Sequence, residues 1–424
     1  MSNSINALSL WLVVVWPLLL VIPALHSRLP SPRHLAILPA ALLAVMPGDA
    51  SHVLPWLMFG TGLSIEGDSR WILLMAVTVW LAAATVCNKQ LAQNRSTVLF
   101  LLTLTGNLGV ILAADLVGFF VFAALMGYGF YGLLVQGSDV AVRRAARLYL
   151  IFLIIADLAL FEALLLAAFA TKELQFAAVQ QAVTETPLYL WLVFAGFVLK
   201  AGIWPFHLWL TAAFKSASQS ALLLLGGAPV AMALLGMERW LPLGDTAVYA
   251  MGTVAQVVGV AALLYATLRF FTHMQMKTLP AWGLVATSGI FVAFIGTGLT
   301  YPAVWQQYEY LAYPLIAALG LLPTLVVIIA RLEGRHQTTD VQLVDVSISW
   351  AAGWGRLIQQ WLTKSLAGVQ ALAGFFETKA LELPQYLHQW QTLLDDAERR
   401  LRRWTVAITL LSLLALAVAL LAIG

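Results

Sequence analysis

Apolar runs recur along this chain, from Ala7–Leu25 to Thr405–Ile423, most of them near the length of a helix that crosses a bilayer. A hydrocarbon core of about 30 Å calls for about twenty apolar residues in helical form and holds no water to satisfy the backbone. Backbone donors and acceptors must then pair internally, which leaves helices or a closed barrel. Barrel strands would be shorter and would alternate in polarity. These runs do neither, and at 61% hydrophobic and 10% charged residues the chain is far more apolar than a soluble domain, for which about 25% charge is usual. The expected fold class is an all-α polytopic membrane protein.

The runs are Ala7–Leu25, the short His34–Met46, Trp71–Val86, Val98–Ala114, Leu116–Val135, Leu148–Ala170, Leu188–Phe214, Ser218–Met237, Ala247–Arg269, Leu284–Thr297, Tyr308–Ala330 and Thr405–Ile423, about twelve crossings. Ala7–Leu25 lacks a basic flank before it and a small-residue cleavage site after it, so it reads as a retained span. Loops with Arg28 and Arg33, Lys89 and Arg95, Arg143, Arg144 and Arg147, Lys215, Arg269 and Lys277, and Arg331 and Arg335 alternate with loops holding Asp49, Glu66, Asp68, Asp115, Glu173, Glu185 and Asp245. The positive-inside rule then puts the basic side in the cytoplasm and the N-terminus outside, as in a bacterial inner membrane.

After Ala330 the polarity changes. Leu357, Ile358, Trp361, Leu362, Leu366, Val369, Leu372 and Phe376 recur at helical spacing in a charged background, the mark of an amphipathic helix on the cytoplasmic surface. Pro384 divides or kinks it, and Arg399, Arg400, Arg402 and Arg403 hold the start of the last span on the same side. Four regions follow: N-terminal transmembrane helices (1–114), a transmembrane core (115–330), a lateral helix that docks partner subunits (331–403) and a C-terminal anchor (404–424).

Several chemistries are excluded. One cysteine, Cys87, leaves no iron–sulfur ligand set, which needs about four. No glycine-rich phosphate loop and no paired histidines at metal spacing occur. Only His207 lies inside a span, so a haem held by two histidines lacks its ligands. No cofactor, no metal and no catalytic centre of its own are expected. The net charge of +3 is scattered among loops, which argues against nucleic acid as a partner. What remains for the polar groups inside the membrane is ion handling.

Lys200 carries that reading. It interrupts Leu188–Ile203 four residues before Trp204-Pro205-Phe206-His207. An ammonium in hydrocarbon survives only where protein, water or an opposite charge solvates it. About twelve residues of helix, roughly 18 Å, separate Lys200 from the outer end of its span, too far for snorkelling. Pro205 removes a backbone donor and breaks the helix, and such breaks are tolerated at depth beside a protected polar cavity. A carboxylate that moves relative to a buried lysine switches it between holding and releasing a proton.

The run from Lys200 through Ile203-Trp-Pro205-Phe-His207-Leu-Trp209-Leu to Ser220-Ala-Leu resembles the signature of the antiporter-like subunits of respiratory complex I, membrane-bound hydrogenases and Mrp-type cation/proton antiporters. Lys277 to Gly289 and Val344 to Trp350 resemble two further segments of that family, and the likeness is best from Asp115 to Gly298. It implies a broken helix at Lys200, an inverted-repeat helix fold, and a place among other membrane subunits in an energy-coupling complex. It also implies a proton or sodium relay centred on Lys200.

The pattern departs from the family in instructive ways. The glutamate that pairs with the lysine is replaced by Ala124, the second basic residue is missing from Ser220–Met237, none stands in Leu311–Ala330, and Gln275 replaces an aspartate. Too few spans follow Gly298 for a second broken helix. Asp157 and Glu162 lie one helix after Ala124 and one of them is expected to substitute. Five residues apart, they point about 140° away from each other and cannot both face Lys200. Glu162 is the expected partner, since Asp157 matches an acidic position the family already has. His207 and Lys215 form a candidate inner access route, with His207 equally suited to orienting the break; Asp115 reads as a solvated helix cap. Two other functions stay open: a non-conducting scaffold that has lost the relay, and a subunit that energises uptake of inorganic carbon or another small solute.

Overall fold

The computed structural model describes residues 2–22, 29, 31–55, 60–86, 94–136, 139–171, 173–184, 186–272 and 278–334. The lateral helix, the terminal anchor, Cys87, Lys89, Gln275, Lys277 and Val344–Trp350 lie outside them.

Helices dominate, as the apolar runs require. In chain order they are α1 (Ser2–Leu19), α2 (Pro32–Val45), α3 (Ser69–Val86), α4 (Asn94–Leu112), α5 (Leu116–Leu134), α6 (Val140–Ala170), α7 (Phe176–Ala182), α8 (Pro187–Ala201), α9 (Leu208–Ser216), α10 (Gln219–Leu225), α11 (Ala231–Trp240), α12 (Tyr249–Thr272), α13 (Leu279–Thr300), α14 (Pro302–Tyr308) and α15 (Ala312–Gly334). Among the described residues, 8 helical stretches are long and apolar enough to cross a membrane, and Leu8–Leu19, Pro32–Val45 and Pro187–Ala201 are shorter apolar helices. A single π turn, Gly226–Val230, joins α10 to α11. Its cause is Pro229, which has no amide hydrogen to continue the α-helical ladder.

The helix-only expectation needs one amendment. Ala50–Val53 and Gly62–Ile65 form a short antiparallel hairpin, β1 and β2, with Ala50 opposite Ile65 and Val53 opposite Gly62. It is pinned to the bundle by Asp115, whose carboxylate accepts from Thr61 Oγ1 at 2.7 Å, Gly62 N at 2.8 Å and Gly118 N at 2.7 Å. Asp115 caps α5 as expected, but it is only 5% exposed: the hairpin covers it, so the cap is buried and not solvated.

A second polar anchor sits beside it. Arg239, in the last turn of α11, donates to the carbonyls of Val110, Ala113 and Ile111 at 3.2, 3.0 and 3.0 Å. These are carbonyls at the C-terminal end of α4, where helix partners run out and the macrodipole favours a cation. The buried arginine is thus accounted for by architecture.

Candidate functional site

α6 is longer than its membrane run. It starts at Val140, capped by Asp139, and carries the exposed Arg143, Arg144 and Arg147 on its first two turns before entering the apolar stretch. One face of this helix packs on α8. Asp157 lies on that face, and its Oδ1 stands 2.6 Å from Lys200 Nζ, with the two side chains 10% and 9% exposed. Lys200 sits in the last turn of α8, where the negative end of the helix dipole adds to the attraction.

Glu162 is exposed on the opposite face of α6. The geometric argument that only one of the two carboxylates can meet the lysine holds, but the preferred one does not. A shift of five residues turns the side chain by about 140°, and the face that meets α8 carries Asp157 and Leu160, with Leu153 and Leu164 buried beside them.

The helix break follows from local sequence in a different order than expected. α8 stops at Gly202, whose φ of 65° and ψ of 40° lie in the left-handed region that glycine adopts without steric cost. Ile203 N donates to Val198 O at 3.2 Å and Gly202 N to Leu199 O at 3.3 Å, a C-terminal cap. Pro205 comes three residues later, after a cis Trp204–Pro205 bond, and keeps the chain from resuming helix until Leu208. Leu199 O receives a further hydrogen bond from Trp209 Nε1 at 3.1 Å, so the indole from α9 is tied to the residue before Lys200. Trp209 in turn packs on Tyr149, whose hydroxyl donates to Gly127 O at 3.3 Å.

A cavity of about 20 Å³ adjoins Lys200 and is lined also by Ala123, Met126, Gly127, Tyr149, Trp209 and Pro229. That exceeds the roughly 10–15 Å³ a water molecule needs. The wall contributed by α5 is small and apolar here, on the span where the family pattern places a carboxylate; Ala124 itself is half-buried. Tyr128, on α5, lies near Asp157. Beyond Met126, the buried Asn107 accepts from Trp80 Nε1 at 2.7 Å and points its amide at Gly227 O, 3.5 Å away in the π turn. No motif marks Asn107 or Tyr128 in the sequence; for Asn107 the usable signal was a carboxamide in the middle of an apolar span.

His207 is fully buried beyond the break, its ring 5.2 Å from that of Tyr265 and 5.3 Å from that of Trp282. It does not line the Lys200 cavity. Arg269, 1% exposed, lies 5.6 Å from the Trp282 ring in the same aromatic cluster. Lys215 is exposed in the last turn of α9. About 12 Å of helix separates it from His207, so the two are not one contact site.

Comparison with known proteins bears on family and fold. The profile described as NADH:quinone oxidoreductase/Mrp antiporter, TM matches residues 113–381. NADH-quinone oxidoreductase subunit N of Laribacter hongkongensis is 22% identical over 79% of this chain and 72% of its own length. NADH-quinone oxidoreductase subunit M of Escherichia coli is 26% identical over 78% of this chain and 65% of its own. Among solved structures, the Mrp complex from Dietzia superposes with a TM-score of 0.64 at 17% identity, covering 80% of this chain and 38% of that one. The chain spans only part of each relative, the long Mrp chain above all. With 113–381 matched, more than half of the sequence, this chain belongs to the NADH:quinone oxidoreductase/Mrp antiporter transmembrane family.

Proposed function

We propose that this chain is a multi-pass subunit of a larger bacterial inner-membrane complex and moves protons, or sodium, through its core, with the Lys200–Asp157 pair as the switch. The observation that carries the reading is the 2.6 Å ion pair buried beside a cavity large enough for water. A buried pair held by one bond on each side is bistable. While Asp157 is close, the ammonium is compensated; drawn apart, an uncompensated buried cation favours release of its proton into the adjacent cavity. His207 and Lys215 would lie along the cytoplasmic access.

Membership in a complex is supported by the relatives' names, which describe subunits, and by the lateral segment 331–403, proposed as the docking element. Twelve crossings with the N-terminus outside are supported by the exposed Arg143, Arg144, Arg147 and Lys215 on one side and the exposed Glu66, Asp68, Glu173 and Asp245 on the other.

Lys200→Ala in the reconstituted complex, with proton flux as readout, tests the relay. Flux should vanish; unchanged flux rejects it. One observation favours a scaffold instead: Gly226–Val230, where the family's second basic residue is expected, is wholly buried and apolar. On that reading Lys200→Ala leaves flux intact, while deletion of 331–404 disperses the complex.

A further inference from the structure

Glu162 is left with no role in the pair, and its position is costly. It is exposed on an outer face of α6 shared with Ile154, Leu158, Phe161 and Leu165, which are 42, 65, 46 and 48% exposed. Eight residues, about 12 Å of helix, separate it from the end of α6 at Ala170, farther than a glutamate side chain reaches. Carboxylates at that depth face a bundle interior or a charged partner, and rarely lipid.

The described residues of this chain offer no such partner. Among the described residues Arg33, Arg239 and Arg269 are buried and Lys200 is paired with Asp157. The other described lysines and arginines stand at helix ends. The described residues of a second copy therefore present no lysine or arginine at this depth. The one apolar run outside the described residues, Thr405–Ile423, has no basic residue at all.

We infer that the outer face of α6 is an interface, covered by a transmembrane helix of a different polypeptide that presents a lysine, arginine or histidine to Glu162. The face has the form such a contact needs: aliphatic and aromatic side chains at helical spacing around a single carboxylate. Tyr128, on the neighbouring α5 and 45% exposed, lies near Asp157. A helix seated here would thus also close the outer side of the ion pair.

The test uses the full chain in its native membrane, with a photo-crosslinking amino acid at Leu158 or Leu165 and the product peptides sequenced. The expected product joins this face to an apolar span of another polypeptide, with a basic residue within one turn of the linked position. Glu162→Gln should lower recovery of that polypeptide by about tenfold or more, and Glu162→Lys should abolish it until the partner's basic residue is changed to glutamate. Crosslinks to lipid only, to a second copy, to 404–424, or to a span without a basic residue would each overturn the inference. If Glu162→Lys fails to accumulate, the crosslink and the glutamine variant still decide. Flux in Lys200→Ala bears on the relay alone, so the two readings fail separately.

Discussion

The region around α5, α6, α8 and α9 and the hairpin of α12 and α13 are built on opposite principles. The first contains a helix break, a cavity of about 20 Å³ and a buried ion pair. In the second, backbones touch: a Cβ added at Gly259 would stand 2.5 Å from Gly289 O and Ala293 N, and one at Gly289 would stand 2.6 Å from Gly259 O. Arg269, near the C-terminal end of α12, is the charged residue in the described part of that hairpin. Glycine at the contact lets helices approach until no space for water is left, as transmembrane pairs do with small residues. The chain thus leaves space beside its buried ion pair while its neighbouring hairpin packs backbone against backbone.

The contrast can be broken at several points. Asp157→Ala should have the largest effect, destabilising the chain by about 3–5 kcal/mol because it leaves a buried ammonium without its counter-charge; thermal unfolding in detergent measures it, and Asp157→Glu should recover part of the loss. In the dry hairpin, Gly259→Val forces a side chain into backbone and should cost about 1–3 kcal/mol, with no specific change in flux per folded molecule. Trp209→Phe removes the indole donor from Leu199 O and should cost about 1 kcal/mol while loosening the turn that carries Lys200, read as lower flux with assembly unchanged. Smallest in stability and sharpest in function is Ala123→Val. Its added methyl groups enter the water-sized cavity, so stability should change by about 1 kcal/mol or less while flux falls. If flux survives, the cavity is not on the path.

How much of this could be read from the chain alone differs between elements. Lys200 announces itself because a lone cation in an apolar run is rare for energetic reasons, and the turn after it is written in Gly202 and Pro205. The choice between Asp157 and Glu162 was not legible, because helical periodicity gives their relative angle and not the rotation of α6 against α8. Pattern matching to the family pointed to Glu162, whereas packing of Leu153, Leu160 and Leu164 turned Asp157 inward. Asp115 was readable as a cap but not as buried, since what covers it is a hairpin from residues far earlier in the chain.

Apolar run length, charge alternation and the lysine before the glycine–proline turn point by themselves to a helical membrane protein of the antiporter family, with Lys200 as its most conspicuous buried charge. Those features are local, and hydrocarbon enforces them on any segment that enters it. Which carboxylate neutralises Lys200, that the space beside it is large enough for a water, and that Glu162 looks outward were decided by tertiary packing. Rotation and spacing of helices emerge only when several faces compete for the same interior, and no single stretch of sequence carries that information.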